Sequence, residues 1–350
     1  MTERTTTGLI AALALCAPAL MLQTAVARTV VKAAVPAVTQ RFDIGGEGGW
    51  DYLTFDPAGK RLFISRGTHV VVMDAATGRV VGDIPGTDGV HGIALVPGMN
   101  KGFTSNGRAN SVTAFNLATL DVLGKIPVSG QKPDAIIYDP ASAHILTFNG
   151  NSDNVTAINP ASLVVVATIR LPGRPEFAAA DGHGRVYVNL EDKGEIAVIN
   201  SIAGKVVAVW WLGLCSEPSA LALDAVHHRV FSTCHNNKLV VLDTRTGKLV
   251  AQLPIGAGPD AAAYDPLTRR IFSSNGDGTL TVIKEKSPNR YAVIANVRTE
   301  LGARTMALDS LGRRIFLATA TLGALPAPTA AQPRPRPSIL PGTFRILVVR

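Results

Sequence analysis

Seven polar positions recur along this 350-residue chain at intervals of about 42 residues: Asp51, His91, Asp134, Glu176, Ser219, Asp260 and Arg304. Six of the seven are ionisable, and each stands five residues before a recurring turn. A second series marks the ends of the strands that follow those turns: Arg66, Asn106, Asn149, Leu190, Cys234, Asn275 and Thr319. If a fold gathers these residues at one point, converging carboxylates must either share protons or find a cation. Carboxylate and amide oxygens suit calcium or magnesium, and His91 extends the choice to zinc or manganese. Glu176, Asp260, His91 and Asn149 are the expected metal set. The wider ligand set adds Asp51, Asn106, Asp134, Asn275, Arg304 and Arg66. The plainer role for the same side chains is to cap inward-facing backbone groups and hold ordered water.

The elements that must position these residues follow from the repeat. A turn begins at Asp56, Asp139, Asp181, Asp224, Asp265 and Asp309, with Val96 in the remaining slot. A basic residue and an alternating apolar strand come next, as in Arg61-Leu62-Phe63-Ile64, Arg185-Val186-Tyr187-Val188 and Arg314-Ile315-Phe316. A second hairpin recurs downstream, at Asp74 to Gly78, Asn200 to Gly204 and Asp243 to Gly247. Asp or Asn bonds the turn backbone there, and Gly supplies a positive φ. Each unit therefore reads as strands A, B, C and D, with A nearest a common axis. In the first unit these span roughly 50–56, 61–66, 69–74 and 79–85. The seventh unit has A at 304–309, B at 313–319 and C at 343–350, and lacks D. The apolar strand Val38 to Ile44 has no other partner and can supply it. The expected fold is all-β: a seven-bladed β-propeller of four-stranded blades, its last blade closed by the N-terminal strand, which hides sheet edges.

The units carry Tyr187-Val188-Asn189, Phe103-Thr104-Ser105-Asn106 and Phe272-Ser273-Ser274-Asn275, with a recurring Gly-x-x-Pro-Asp/Glu before strand A. In these features the chain resembles the YVTN-repeat, or YncE-like, bacterial propeller family over essentially its whole length after residue 27. The literal Tyr-Val-Thr-Asn string is absent, as is the Trp-Asp dipeptide of WD40 repeats. The resemblance implies a propeller acting as a binding module, with a small ligand, a divalent cation or a protein partner at the polar mouth of the channel. Some members of that family bind single-stranded nucleic acid, which makes nucleic acid a third reading. The layout is also similar in kind to propeller lactonases of the gluconolactonase group and to streptogramin lyases, without a shared motif. It suits a metal-dependent enzyme in which a cation polarises a carbonyl and His91 or a carboxylate moves a proton.

Composition and targeting narrow the setting. With 47% hydrophobic and 17% charged residues and 33 Gly and 22 Pro, the chain suits strands and turns better than helices or disorder. Residues 1–27 read as a signal peptide: Arg4, an apolar run from Leu9 to Leu22, and Ala25-Val26-Ala27 before cleavage at Arg28. Leu15 stands where a lipoprotein signal before Cys16 needs a small residue. Export to the periplasm or beyond is the expectation, with no membrane span after cleavage and a single monomeric domain over 28–350. That leaves Cys215 and Cys234, an even pair in a disulfide-permissive compartment. The net charge of +8 is dispersed and favours acidic partners without requiring them. Few aromatic residues are available for base stacking, which weighs against nucleic acid. The loop 321–342, rich in proline and carrying Arg334 and Arg336, opens on the same mouth and is expected to act as a semi-rigid lid.

Overall fold

The computed structural model describes residues 1–3, 36–329, 335 and 337–350. Met1–Val35 and Pro36–Arg350 are separate units, and of the first only three residues are described. The expected leader and its cleavage site therefore lie outside the described residues, as do Arg334 and Arg336 of the proline-rich loop.

Seven sheets, each of four antiparallel strands, make up the unit Pro36–Arg350. Blade 1 has strands A to D at Leu53–Asp56, Arg61–Ser65, Val70–Asp74 and Val80–Ile84. Five more blades repeat this order in sequence. Blade 7 takes A, B and C from Thr305–Asp309, Arg314–Thr319 and Arg345–Val349, and its outer strand is Val38–Asp43. The pairing runs from Asp43 opposite Arg345 to Val38 opposite Val349, so the predicted N-terminal closure is present.

The repeated turn works as its residue types require. Asp56 Oδ1 accepts from the Ala58 and Gly59 N–H groups, and Asp309 Oδ1 accepts from Gly312. The residue before strand B is left-handed in several blades, with φ of 52° at Lys60, 58° at His228 and 53° at Arg313. The basic residue that opens strand B has a role not read from sequence: it reaches across to the next blade. Arg61 donates to Leu117 O at 2.7 Å, Lys101 to Pro160 O at 2.8 Å, and Arg229 to Pro288 O at 2.7 Å. Arg314 of blade 7 donates to Ala75 O of blade 1 at 2.6 Å, carrying the same staple across the seam.

Apolar clusters fill the spaces between adjacent sheets. The one at the seam joins Leu62 and Met73 of blade 1 to Phe316, Ile346 and Val348 of blade 7, all fully buried. Full burial of each such side chain contributes about 1.5–3 kcal/mol. Polar groups reinforce the seam. Glu300 accepts from Arg41 at 2.9 Å and from Arg345 Nε at 2.8 Å, tying both partner strands to one carboxylate. Cys215 and Cys234 form the expected disulfide, with Cα atoms 5.3 Å apart.

Candidate functional site

Each strand A begins at the same end of the ring, so its first residues meet around the axis. On three adjacent blades this register produces one constellation. His91 Nδ1 lies 2.5 Å from Asp51 Oδ2 and 3.5 Å from Asp134 Oδ1. Lys132 Nζ stands 3.5 Å from the other Asp134 oxygen. One donor atom from each of Asp51, His91 and Asp134 falls within 4.8 Å of the others, a spacing compatible with a shared cation. Across the ring, Arg304 Nε lies 3.1 Å from Asp260 Oδ2.

The electrostatics show how closely these groups converge. Burial works against the charged form of His91, but the bond to Asp51 and the charge of Asp134 raise its pKa above the ordinary value. Asp134 is raised by burial and by the Asp51 charge, which together outweigh His91 and Lys132. Glu176 is raised well above the carboxylate range by burial, and then by Asp134, Glu191, Asp260 and Asp51. It has no hydrogen bond or ion pair with any described residue. Glu191, which Arg174 holds at 2.8 Å, adds to the negative potential.

Two further residues border the ring. Tyr52 of blade 1 packs on Phe177 of blade 4 with ring centroids 5.2 Å apart. Those blades stand nearly opposite, so the pair spans the axis beside the carboxylates. Burial raises the Tyr52 hydroxyl pKa well above its usual value, with the charges of Asp134, Glu176, Asp51 and Asp260 adding to it. Gly107 seats the imidazole: a Cβ there would come within 2.7 Å of His91 Nε2 and 3.3 Å of Pro133 O. The sequence held a signal for this position, since Asn106-Gly107 recurs as Asn149-Gly150 and Asn275-Gly276.

The second series does not join the first. Asn106, Asn149 and Asn275 are fully buried inside their own blades. Asn106 Nδ2 donates to Thr113 at 2.8 Å, Asn149 Nδ2 to Asn154 and Thr156 at 2.7 and 2.9 Å, and Asn275 Nδ2 to Thr279 and Thr281 at 3.0 and 3.1 Å. These amides latch strand B to strand C, and for Asn106 and Asn275, whose Oδ1 atoms also accept from Thr104 and Ser273, the expectation that they face a ligand is corrected. Asn149 differs in one respect: its Nδ2 is held in the same way, but its buried Oδ1 has no hydrogen-bond partner among the described residues. Arg66 is also turned away: buried, it donates to the carbonyls of Gly45, Glu47 and Gly48 and lies 3.8 Å over the Phe344 ring. It anchors the chain leaving the closing strand. Ser219 bonds Pro259 O at 2.8 Å, and Thr319 bonds Leu301 O at 2.8 Å.

Trp50 packs on Phe344 at the seam of blades 1 and 7. Trp210 packs on Tyr187, while Trp211 is 68% exposed. The base of the proline-rich loop closes as a narrow ladder, with Gly323 N–H bonded to Ser338 O at 2.8 Å and Leu340 N–H to Thr321 O at 2.9 Å. Among the described residues no helix is long and apolar enough to cross a membrane.

No protein-family profile matches the chain, and no curated protein matches it in sequence. Solved structures do match in shape. Hydrazine synthase of Kuenenia stuttgartiensis superposes with a TM-score of 0.68 at 18% identity, over 77% of this chain and 92% of that one. U3-55K gives 0.74 at 11% identity, over 90% and 98%. The WD40 repeats of RRP9 give 0.74 at 10% identity, over 90% and 97%. At such identities the likeness speaks for the fold alone, and the fold is the seven-bladed β-propeller.

Proposed function

We propose that this chain is an exported, YncE-like binding propeller that takes a divalent cation at its channel mouth, alone or with a small ligand the cation holds. The observation that carries this reading is the Asp51–His91–Asp134 constellation, with donor atoms within 4.8 Å of one another, beside a half-buried Glu176 that is unpaired among the described residues and feels the charges of Asp134 and Asp51. Carboxylates held together with raised pKa values are relieved either by protons or by a cation. With the Asn106 and Asn275 oxygens bonded within their blades, the constellation itself offers one imidazole and carboxylates as donors. That set favours a first-row ion such as manganese or zinc over calcium. His91 would give up a proton on binding, and Gly107 leaves its Nε2 edge uncrowded. The negative mouth also argues against nucleic acid, whose phosphates it would repel.

The disulfide is compatible with an oxidising compartment and with export. The reading is tested by calorimetric titration of the whole chain with manganese, zinc and calcium, on the parent and on Glu176→Gln and His91→Ala. Saturable manganese or zinc binding that falls at least tenfold in both variants supports it. Absence of binding by any of the three ions, or binding indifferent to both substitutions, refutes it. A second reading, a metal-dependent lactonase or lyase, is favoured by the same raised Glu176 pKa, since a protonated carboxylic acid can donate to a leaving group. Turnover of a lactone panel by the metal-loaded protein, lost in Glu176→Gln, would establish it.

A further inference from the structure

The opposite end of the propeller has a composition that the mouth does not explain. Strands A and C run away from the mouth and B and D return, so every A–B and C–D turn opens on that far face. On four consecutive blades, 4 to 7, one such turn lifts an aliphatic residue into solvent: Ile202, Val226, Leu267 and Leu311, between 64% and 81% exposed. Each stands two or three residues before a cationic or imidazole side chain: Lys205, His228, Arg269 and Arg313.

The same arc of turns is strongly positive. Arg185, Lys205, Lys248, Lys286, Arg290 and Arg313 are all exposed, and none forms an ion pair with a described residue. Most acidic residues of these turns are turned inward, and the half-exposed Asp181 holds the His183 and Arg185 N–H groups. Asp224, Asp265 and Asp309 are buried and hold the turn backbone, and Asp243 is occupied by Arg229 and Arg245. Glu285 is buried against Tyr264 and Arg269. The exposed cations of this arc thus stand at the end of the ring opposite the Asp51–His91–Asp134 constellation.

A single exposed leucine on a soluble surface needs no explanation. Aliphatic tips on four neighbouring blades, set among unpaired cations, match a surface that rests on anionic lipid: cations meet headgroups and tips reach the acyl boundary. A nucleic acid would use the cations, but aliphatic tips offer it no stacking surface. We infer that this face docks peripherally on a bilayer containing anionic phospholipid, holding the channel mouth directed away from the membrane.

Flotation of the full chain with vesicles tests this, using phosphatidylcholine alone and phosphatidylcholine with about one-third phosphatidylglycerol. The parent should float only with the anionic vesicles and be released by high salt. The exposed-site variants Leu267→Asp/Leu311→Asp and Lys286→Glu/Arg290→Glu should each reduce partition about tenfold or more. A Leu267→Trp reporter should shift its emission to the blue on anionic vesicles. No flotation, equal flotation with neutral lipid, or an unshifted reporter would overturn the proposal. So would charge-dependent binding to a single-stranded oligonucleotide with vesicle partition unaffected by Leu267→Asp/Leu311→Asp.

Discussion

Replacing Asn275 by alanine separates the two roles that its position suggests. The amide makes three hydrogen bonds inside blade 6: Nδ2 to Thr279 and Thr281 at 3.0 and 3.1 Å, and Oδ1 from Ser273 at 2.9 Å. Each net bond contributes about 1 kcal/mol, so the loss comes to about 3 kcal/mol. For a folded unit of about 300 residues, an unfolding entropy of about 2.1 cal/mol/K per residue turns this into a fall in Tm of about 5 °C. Scanning calorimetry reads that fall, and manganese titration at the mouth should stay within error of the parent because no Asn275 atom is aimed there. An unchanged Tm together with lost cation binding would refute the latch assignment and return the amide to the ligand set.

Other consequences can be measured on the same protein. Converting both Cys215 and Cys234 to serine frees a loop with a sequence separation of 19, and loop entropy sets the loss at about 3 kcal/mol; a Tm unmoved by this change or by reductant would contradict it. Glu176→Gln should raise the Tm of the cation-free protein at neutral pH. The folded pKa of Glu176 is raised, so its ionised form opposes folding above the ordinary glutamate value, and this cost disappears as pH falls through the folded value; a lower Tm at neutral pH would be inconsistent. Glu300 has the opposite sign. Burial raises its pKa, but Arg345 and Arg41 overcome that and lower it, so its contribution is present above pH about 4.5 and is lost as pH falls through the folded value. Glu300→Gln should therefore cost about 1–2 kcal/mol at neutral pH and flatten the acid side of the Tm profile.

The ring was legible because its turns repeat a mechanism. Asp at the turn and a basic residue before strand B recur often enough to count blades, and the unpartnered strand near Val38 fixed how the last one closes. Cys215 and Cys234 could be paired because they flank neighbouring antiparallel strands. The site was legible only in part. Counting back from the turn put Asp51, His91 and Asp134 in one series, and their contacts follow from equivalent register on adjacent blades. Register does not say which way a side chain leaves the end of a strand. Asn106 and Asn275 have several hydroxyls within their own sheets, Thr113 and Thr281 among them, and a buried amide goes where its hydrogen bonds are met. The Tyr52–Phe177 contact was invisible for another reason: it depends on the diameter of the closed ring, which no local pattern encodes.

The seam between Val38–Asp43 and Arg345–Val349 dictates an order of events in making the molecule. The outermost ribbon of blade 7 is synthesised first and the edge it must join is synthesised last, so an elongating chain can stack six blades but cannot seal the circle. Until Arg345–Val349 are made, two raw edges remain open to other chains. A newly made chain therefore benefits from being kept apart until its own ends meet.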